Sequence, residues 1–199
     1  MLEIYLIRHG ETEFNARGIH TGQTPEVPLN KTGIKQAEKL AARLGRIKFD
    51  KVFSSPDIRA KQTADILFRP AGIEIITDNR LREHETGGMS QSSEAWINEY
   101  KRLLNTGMSR YDVRPFGNEN IWDLIDRVGL FLKDMEREEG RIAVVAHAGV
   151  NDVFINLAYG REKDEFVKTP QDNTAINIIR YVSRKWHVVT VNDSGHIFR

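Results

Sequence analysis

Short apolar runs alternate with segments of helical periodicity along most of the chain, and this alternation constrains the fold more than any other feature. Apolar runs of strand length lie at residues 2–7, 51–54, 73–77 and 142–146. Apolar residues recur at helical spacing over residues 31–46, 59–68, 94–104, 119–138 and 150–157. Two further runs, at 175–181 and 186–191, predict a final pair of strands. Strands that alternate with helices predict an α/β fold, a three-layer sandwich with helices on both faces of a mostly parallel sheet.

Length and composition limit the number of domains, the expected partners and the expected location. The 199 residues suffice for one α/β core, and no repeat, low-complexity tract or linker divides them, so we expect a single domain over 1–199. A net charge of +1 gives no reason to expect nucleic acid or an anionic membrane as a partner. No apolar run approaches the roughly 20 residues of a membrane span, and the start does not resemble a signal peptide. The absence of cysteine fits a reducing compartment, so the expected location is cytoplasmic; the sequence does not predict an oligomeric state.

Two of the predicted strands have a histidine at their carboxyl end. Arg8 and His9 come after the first apolar run, and His147 comes after the run at 142–146. The carboxyl ends of strands are where α/β sheets bind ligands. A fixed cation beside an imidazole suits an anionic ligand and a nucleophilic nitrogen. These strand ends are therefore the candidate site.

Six blocks of the sequence, taken together, resemble the histidine phosphatase superfamily, which includes cofactor-dependent phosphoglycerate mutase. The first is Leu-Ile-Arg-His-Gly-Glu-Thr at 6–12, and the last is Val-Val-Ala-His-Ala-Gly-Val at 144–150. Four others lie between them in the family's order, at 28–37, 54–64, 81–87 and 117–128. The resemblance implies a phosphoglycerate mutase-like fold and a phosphoryl-transfer activity.

The resemblance also implies a role for five side chains. His9 attacks phosphorus and carries a phosphohistidine, while Arg8 and Arg59 clamp the phosphoryl oxygens. His147 donates a hydrogen bond to the transferring group, and Glu83 is the general acid that later activates water. Plainer readings stay open for two of them: a solvated arginine at a helix start for Arg59, and a core histidine bonded to backbone for His147.

Further phosphate contacts implied by the resemblance involve Asn15, Thr21, Gly22 and the backbone near Ala148. Asn15 could equally be an ordinary loop residue whose side chain bonds its own backbone.

The block around the general acid departs from the family. A tryptophan and a Glu-Gly pair often follow its glycine, whereas this chain has Met-Ser-Gln at 89–91. Glu85 is therefore a rival to Glu83 for the acid. Leu81 and Gly87 keep the expected spacing around Glu83, which favours it.

Neither a metal ion nor another cofactor is expected. The remaining histidines lack the close spacing of a zinc site, and no cysteine is present to complete one. Arg8 already supplies positive charge beside His9.

The expected activity is hydrolysis of small phosphorylated metabolites by a metal-independent, acid phosphatase-type phosphomonoesterase. A mutase needs an enclosing lid to keep water from its phosphohistidine, and the lid-like insertion here, about 84–118, is short. The loop at 21–25 and the terminal strands are similar to the broad-specificity and α-ribazole phosphatase branches. A phosphoglycerate mutase and a non-catalytic relative that binds phosphorylated ligands are the alternatives.

Overall fold

The computed structural model describes residues 1–19, 24, 26–85 and 93–198. Its sheet has six strands, in the spatial order β3-β2-β4-β1-β5-β6. The strands are β1 (Leu2–Arg8), β2 (Lys51–Ser54), β3 (Ile75–Thr77), β4 (Gly140–Ala146), β5 (Ile176–Val182) and β6 (Lys185–Asp193). The first four are mutually parallel, and β5 and β6 add an antiparallel hairpin. The predicted α/β class and the predicted terminal strand pair are confirmed.

Helices cover both faces of the sheet. Successive side chains of a strand point to opposite faces. Accordingly, Leu6 of β1 packs in one core with α5 and α6, and its neighbour Ile7 packs in a second core with α2 and α3. The helices are α1 (Glu13–Ala16), α2 (Lys31–Leu44), α3 (Ile58–Phe68), α4 (Ser93–Leu104), α5 (Ile121–Met135) and α6 (Ala148–Ala158). No described helix is both long and apolar enough to cross a membrane.

Two of the differences from the predicted helices lie beside strand ends. The short helix α1 falls in the stretch predicted as loop, where Thr12 and Asn15 form a capping box. Helix α6 begins at Ala148 rather than at 150, immediately after His147. Apolar periodicity marks only the buried face of a helix, so it misses a first turn that faces a site.

Parallel pairing brings the ends of β1 and β4 together. The register aligns Leu2 with Gly140 and Arg8 with Ala146, so the two strands finish level with each other. Strand β2 lies on the other side of β4, where Ser54 pairs with Val145. The residues that follow these three strands therefore meet at one edge of the sheet.

Candidate active site

The two histidines that follow β1 and β4 lie against each other. The His9 backbone N–H donates to the Ala146 carbonyl over 3.0 Å, which extends the ladder by one residue. The rings of His9 and His147 are 5.2 Å apart between centroids, at an interplanar angle of 62°. Both side chains are buried. The juxtaposition follows directly from the level ends of two adjacent parallel strands.

The His9 ring is held as a neutral imidazole with one nitrogen free. Nδ1 lies 2.7 Å from the carbonyl oxygen of Gly10, so Nδ1 carries the proton and donates it. The lone pair is then on Nε2. Burial lowers the pKa of His9 well below 6.5, and the nearby Arg59 and Arg8 guanidiniums lower this pKa further. A neutral imidazole with a lone pair on Nε2 is a nucleophile.

The backbone around His9 is anchored from three sides. Its carbonyl accepts from the Asn173 side chain at 3.0 Å and from the Thr174 backbone N–H at 3.3 Å. The following residue, Gly10, donates its N–H to Thr63 Oγ1 over 3.1 Å. No role was predicted for Asn173, Thr174 or Thr63 from the sequence. These residues were missed because they lie far from His9 in sequence, and only the folded structure brings them into contact with it.

Arg8 and Arg59 flank the nucleophile, each fixed by other groups. Arg8 donates from Nη1 to the Gln171 carbonyl, and its buried Nε has no hydrogen-bond partner in the described part of the chain. Arg59 is fully buried and is therefore not a solvated arginine at a helix start. It donates from Nη1 to the Thr24 carbonyl at 2.6 Å and from Nη2 to Asp57 Oδ2 at 3.1 Å.

Asp57 is a buried carboxylate of the site that sequence reasoning missed. It occupies the N-cap position of α3 but makes no side-chain capping hydrogen bond. Its carboxylate instead faces Arg59, Arg82 at 3.6 Å and His147 Nε2 at 3.4 Å. Burial raises the pKa of Asp57, and the two arginines oppose that rise. An aspartate before a helix predicts a cap, so the sequence gives no signal for this inward orientation.

His147 is bonded through a side chain rather than through backbone. Its Nε2 lies 2.8 Å from Ser55 Oγ, which also accepts the Asp57 N–H over 3.3 Å. Nδ1 is buried and makes no hydrogen bond with any residue that the structure describes. Burial lowers the pKa of His147 well below 6.5, with Arg59 adding to the effect, so this imidazole is neutral as well.

Glu83 lies at the amino-terminal end of α6, next to the histidines. Its Oε1 accepts the His84 backbone N–H at 2.9 Å, and its Oε2 lies 3.4 Å from the Gly149 N–H. Its charge acts on both Arg8 and Arg59, which places the carboxylate within the same electrostatic cluster.

Glu85, the rival for the acid, lies elsewhere. It is exposed, and its backbone N–H donates to Glu119 Oε2 over 3.1 Å. The geometry therefore brings Glu83, and not Glu85, to the start of α6 and to the two arginines.

The further predicted phosphate contacts divide into three cases. Asn15 accepts from the Thr12 backbone at 3.1 Å through Oδ1, so only its amide nitrogen remains to meet a ligand. Ala148 is the first residue of α6, and the N–H groups of a first turn have no acceptor within their own helix. Thr21 and Gly22, like Gly87 of the acid block, lie outside the described residues.

The site is rich in donors and poor in metal ligands. Among the described residues, no three histidine, aspartate or glutamate side chains lie close enough together to hold a metal ion. What this edge of the sheet offers is two arginines beside the nucleophile, two neutral imidazoles, and the carboxylates of Asp57 and Glu83. This combination can bind a tetrahedral oxyanion and exchange protons with it.

Comparison with known proteins identifies the family of the chain. The model of the histidine phosphatase superfamily (branch 1) matches residues 4–194, and the chain belongs to that family. Phosphoglycerate mutase-like protein 4 of Arabidopsis thaliana is 33% identical over 205 residues, which cover 98% of this chain and 86% of that protein.

Solved structures of similar proteins match nearly the whole chain. The Bacillus stearothermophilus protein YhfR matches with a TM-score of 0.86 at 25% identity, covering 99% of this chain and 100% of its own. A phosphoserine phosphatase from Entamoeba histolytica, in complex with 3-phosphoglyceric acid, matches with a TM-score of 0.82 at 26% identity, covering 99% and 100%. The superfamily thus contains both phosphatases and mutase-like relatives of this chain.

Proposed function

We propose that the protein is a phosphomonoester hydrolase that works through a phosphohistidine on His9. One observation carries the proposal. The His9 ring donates from Nδ1 to Gly10, which leaves the Nε2 lone pair on an imidazole that burial, together with Arg59 and Arg8, keeps neutral. A histidine held for a structural purpose gains nothing from two adjacent cations.

In the first step, His9 Nε2 attacks phosphorus and the bond from phosphorus to the ester oxygen breaks. Glu83 gives its carboxyl proton to the departing alkoxide, which leaves as an alcohol. In the second step, Glu83 takes a proton from water as that water attacks the phosphohistidine. The bond from phosphorus to Nε2 breaks, inorganic phosphate leaves, and both side chains return to their starting states.

The surrounding donors stabilise the negative charge on the phosphoryl oxygens. Arg8 and Arg59 supply fixed cations beside the nucleophile. A bound anion favours the His147 form with its proton on Nδ1, because Nε2 can then accept from the Ser55 hydroxyl. In that form the buried Nδ1–H of His147, which has no acceptor among the described residues, donates to a phosphoryl oxygen. The amide of Asn15, the backbone of Ala148, and Thr21 and Gly22 complete the proposed phosphate contacts.

A trapping experiment tests the nucleophile. A phosphohistidine is labile in acid and stable in base. Brief reaction with a ³²P-labelled phosphomonoester followed by a base quench should label the wild-type chain, and acid should remove the label. His9→Ala should abolish both labelling and turnover while the protein keeps its fold. Label that persists in His9→Ala would place the nucleophile elsewhere.

Variation of the leaving group tests the general acid. Glu83→Gln should slow hydrolysis of alkyl phosphates by roughly 100-fold or more, because an alkoxide leaves poorly without a proton. The kcat/KM for p-nitrophenyl phosphate, which reports only the first step, should fall much less, because nitrophenolate leaves unaided. Glu85→Gln is the matched control and should affect both substrates equally. The reverse pattern would assign the acid to Glu85.

The substrate class proposed is a small phosphorylated metabolite. Support comes from the Entamoeba histolytica relative, which has been solved with phosphoserine and with 3-phosphoglyceric acid. A panel of phosphorylated sugars, hydroxy acids, amino acids and nucleosides, assayed by phosphate release, tests the class and ranks its members. No release from any member, with phosphate binding retained, would favour a non-catalytic phospho-ligand-binding protein.

A phosphoglycerate mutase is the second candidate, favoured by the 33% identity to a mutase-like plant protein. Incubation with 3-phosphoglycerate and a bisphosphoglycerate primer separates the two functions. Isomer exchange faster than phosphate release would establish the mutase, whereas phosphate release without exchange supports the hydrolase.

A further inference from the structure

Arg127, on α5, binds the chain segment that carries Glu83. Its Nη1 donates to the Arg80 carbonyl at 2.6 Å, and its Nη2 donates to the Glu83 carbonyl at 3.0 Å. The same guanidinium pairs with the Glu119 carboxylate through Nε at 2.6 Å and Nη2 at 3.0 Å. Both side chains are largely buried, at 18% and 11% exposure, so water screens this pair only weakly.

Glu119 extends the contact to the other side of Glu83. Its Oε2 accepts the backbone N–H of Glu85, and its own carbonyl lies 3.0 Å from His84 Nε2. The Arg127–Glu119 pair therefore holds the backbone before, at and after Glu83.

The Glu83 carboxylate depends on this support because its own segment is irregular. A 3₁₀ turn ends at Leu81, and Arg82 is already extended, so no helix or strand ladder fixes the peptide of Glu83. The carboxylate itself makes one hydrogen bond to a neighbouring backbone N–H and a long one, 3.4 Å, to α6. Backbone position thus decides where the carboxylate lies.

We propose that Arg127 is a positioning residue for the reaction, which holds the Glu83 peptide so that its carboxyl group reaches the leaving oxygen. The inference depends on the proposed function, in which Glu83 is the general acid. Arginine is required because one planar guanidinium must meet two carbonyls and a carboxylate at once. A lysine keeps the charge but cannot satisfy the three acceptors together.

The test compares Arg127→Lys and Glu119→Gln with wild type on two substrates. These are p-nitrophenyl phosphate and the alkyl phosphomonoester that the wild-type enzyme hydrolyses fastest in the panel. The quantity compared is kcat/KM, which reports only the first step; for the alkyl ester we expect it to fall by about 100-fold in Arg127→Lys and by roughly 10-fold in Glu119→Gln, within the range that general acid catalysis contributes. For p-nitrophenyl phosphate, both variants should stay within about threefold of wild type.

Asp134→Asn is the matched control. Asp134 also lies on α5 and pairs with the Arg80 side chain of the same turn, at 2.7 Å, but does not touch the peptide of Glu83. It should change the two substrates equally. Thermal melts of every variant establish that the assayed protein is folded.

The outcomes distinguish a failure of the role proposed for Arg127 from a failure of the general-acid role proposed for Glu83. Equal losses on both substrates in Arg127→Lys and Glu119→Gln, in step with lower melting temperatures, would reduce Arg127 to a structural residue and overturn the inference. If Glu83→Gln itself shows no dependence on the leaving group, the failure lies in the proposed function, and the inference falls with it. A leaving-group effect in Glu83→Gln and in Arg127→Lys, but not in Asp134→Asn, supports both.

Discussion

The Nδ1 atom of His9 donates to the carbonyl oxygen of Gly10 over 2.7 Å, and this bond fixes which nitrogen faces the chemistry. A carbonyl only accepts, so the proton must stay on Nδ1 and the lone pair on Nε2. Burial, Arg59 and Arg8 disfavour a second proton on the ring. The bond to Gly10 and the two arginines thus act together: one selects the tautomer, and the others keep the ring neutral.

The pH dependence of turnover should reflect this neutral ring. Because the pKa of His9 lies well below 6.5, His9 remains a nucleophile in mildly acidic solution. Protonation of His9 should therefore not lower kcat as the pH falls from 7 to about 5.5. The measurement is kcat for p-nitrophenyl phosphate, whose leaving group needs little help from an acid. A loss of activity with an apparent pKa at or above 6.5 would contradict the neutral, buried histidine.

The same histidines should make the fold sensitive to acid. Folded His9 and His147 both have pKa values well below 6.5, whereas in the unfolded chain each takes up a proton as the pH falls through 6.5. The unfolded state then binds more protons, so the free energy of unfolding falls below pH 6.5, by about 1 kcal/mol per histidine for each pH unit. Above pH 6.5 this effect is absent.

Urea melts at pH 7 and pH 5.5 measure that acid sensitivity. Carboxylates also titrate in this range, so the His9→Gln variant is the reference: it should lose stability less steeply than wild type on acidification. An identical slope in the two proteins would mean that folded His9 takes up its proton as readily as the unfolded chain does.

The architecture of the site was predictable from the sequence where it depends on strand ends. Apolar runs mark β1 and β4, and a histidine follows each run within two residues. Parallel strands in one sheet end at the same edge, so the meeting of His9 and His147 follows from pattern alone. The roles of these residues, by contrast, came from the resemblance to a family, since a pattern of apolar residues carries no chemistry.

The supporting residues were not predictable in the same way. Asp57 has the sequence position of a helix cap, and only the fold shows that its carboxylate turns toward Arg59 and His147. Arg127 has the position of a polar residue on an amphipathic helix, 44 residues from the Glu83 carbonyl that it binds. Both contacts depend on packing between distant segments, which local propensity and periodicity do not encode.

Removal of the Asp57 carboxylate should destabilise the protein strongly. Asp57 and Arg59 are both fully buried, so Asp57→Ala leaves a guanidinium without its counter-charge inside the fold. We expect a loss of about 3–5 kcal/mol in the free energy of unfolding, measured by urea denaturation. Asp193→Ala is the control, because it breaks an exposed pair with Arg43 and should cost no more than about 1 kcal/mol. Similar losses in the two variants would contradict a buried ion pair.

A methyl group at Gly33 should disturb the loop that carries the nucleophile. A Cβ atom there would lie 2.1 Å from the carbonyl oxygen of Glu11, which is backbone and cannot rotate away. We expect Gly33→Ala to lower the free energy of unfolding by about 2 kcal/mol or more and to reduce kcat as well. Gly45→Ala, at the end of the same helix, meets nothing closer than 3.4 Å and should change neither quantity by much. Equal stability of the two variants would show that α2 does not pack against the loop at Gly33.

Gly149 offers a way to displace the general acid without harm to the fold. A Cβ atom at this position would lie 2.6 Å from Glu83 Oε1, the flexible end of a side chain, so the carboxylate must move and the backbone need not. Because Gly149 lies within α6, an alanine there also favours the helix.

Gly149→Ala should therefore lose activity while its melting temperature is unchanged or higher. The loss in kcat/KM, which reports only the first step, should be roughly 10-fold or more for an alkyl phosphate and only slight for p-nitrophenyl phosphate, since the acid matters most for a poor leaving group. Gly129→Ala is the matched control: its Cβ would meet only Leu157, at 3.7 Å, so alanine should favour α5 and leave both substrates unaffected. Full activity of Gly149→Ala on alkyl phosphates would mean that Glu83 donates its proton from a position away from α6, and not from the position beside Gly149.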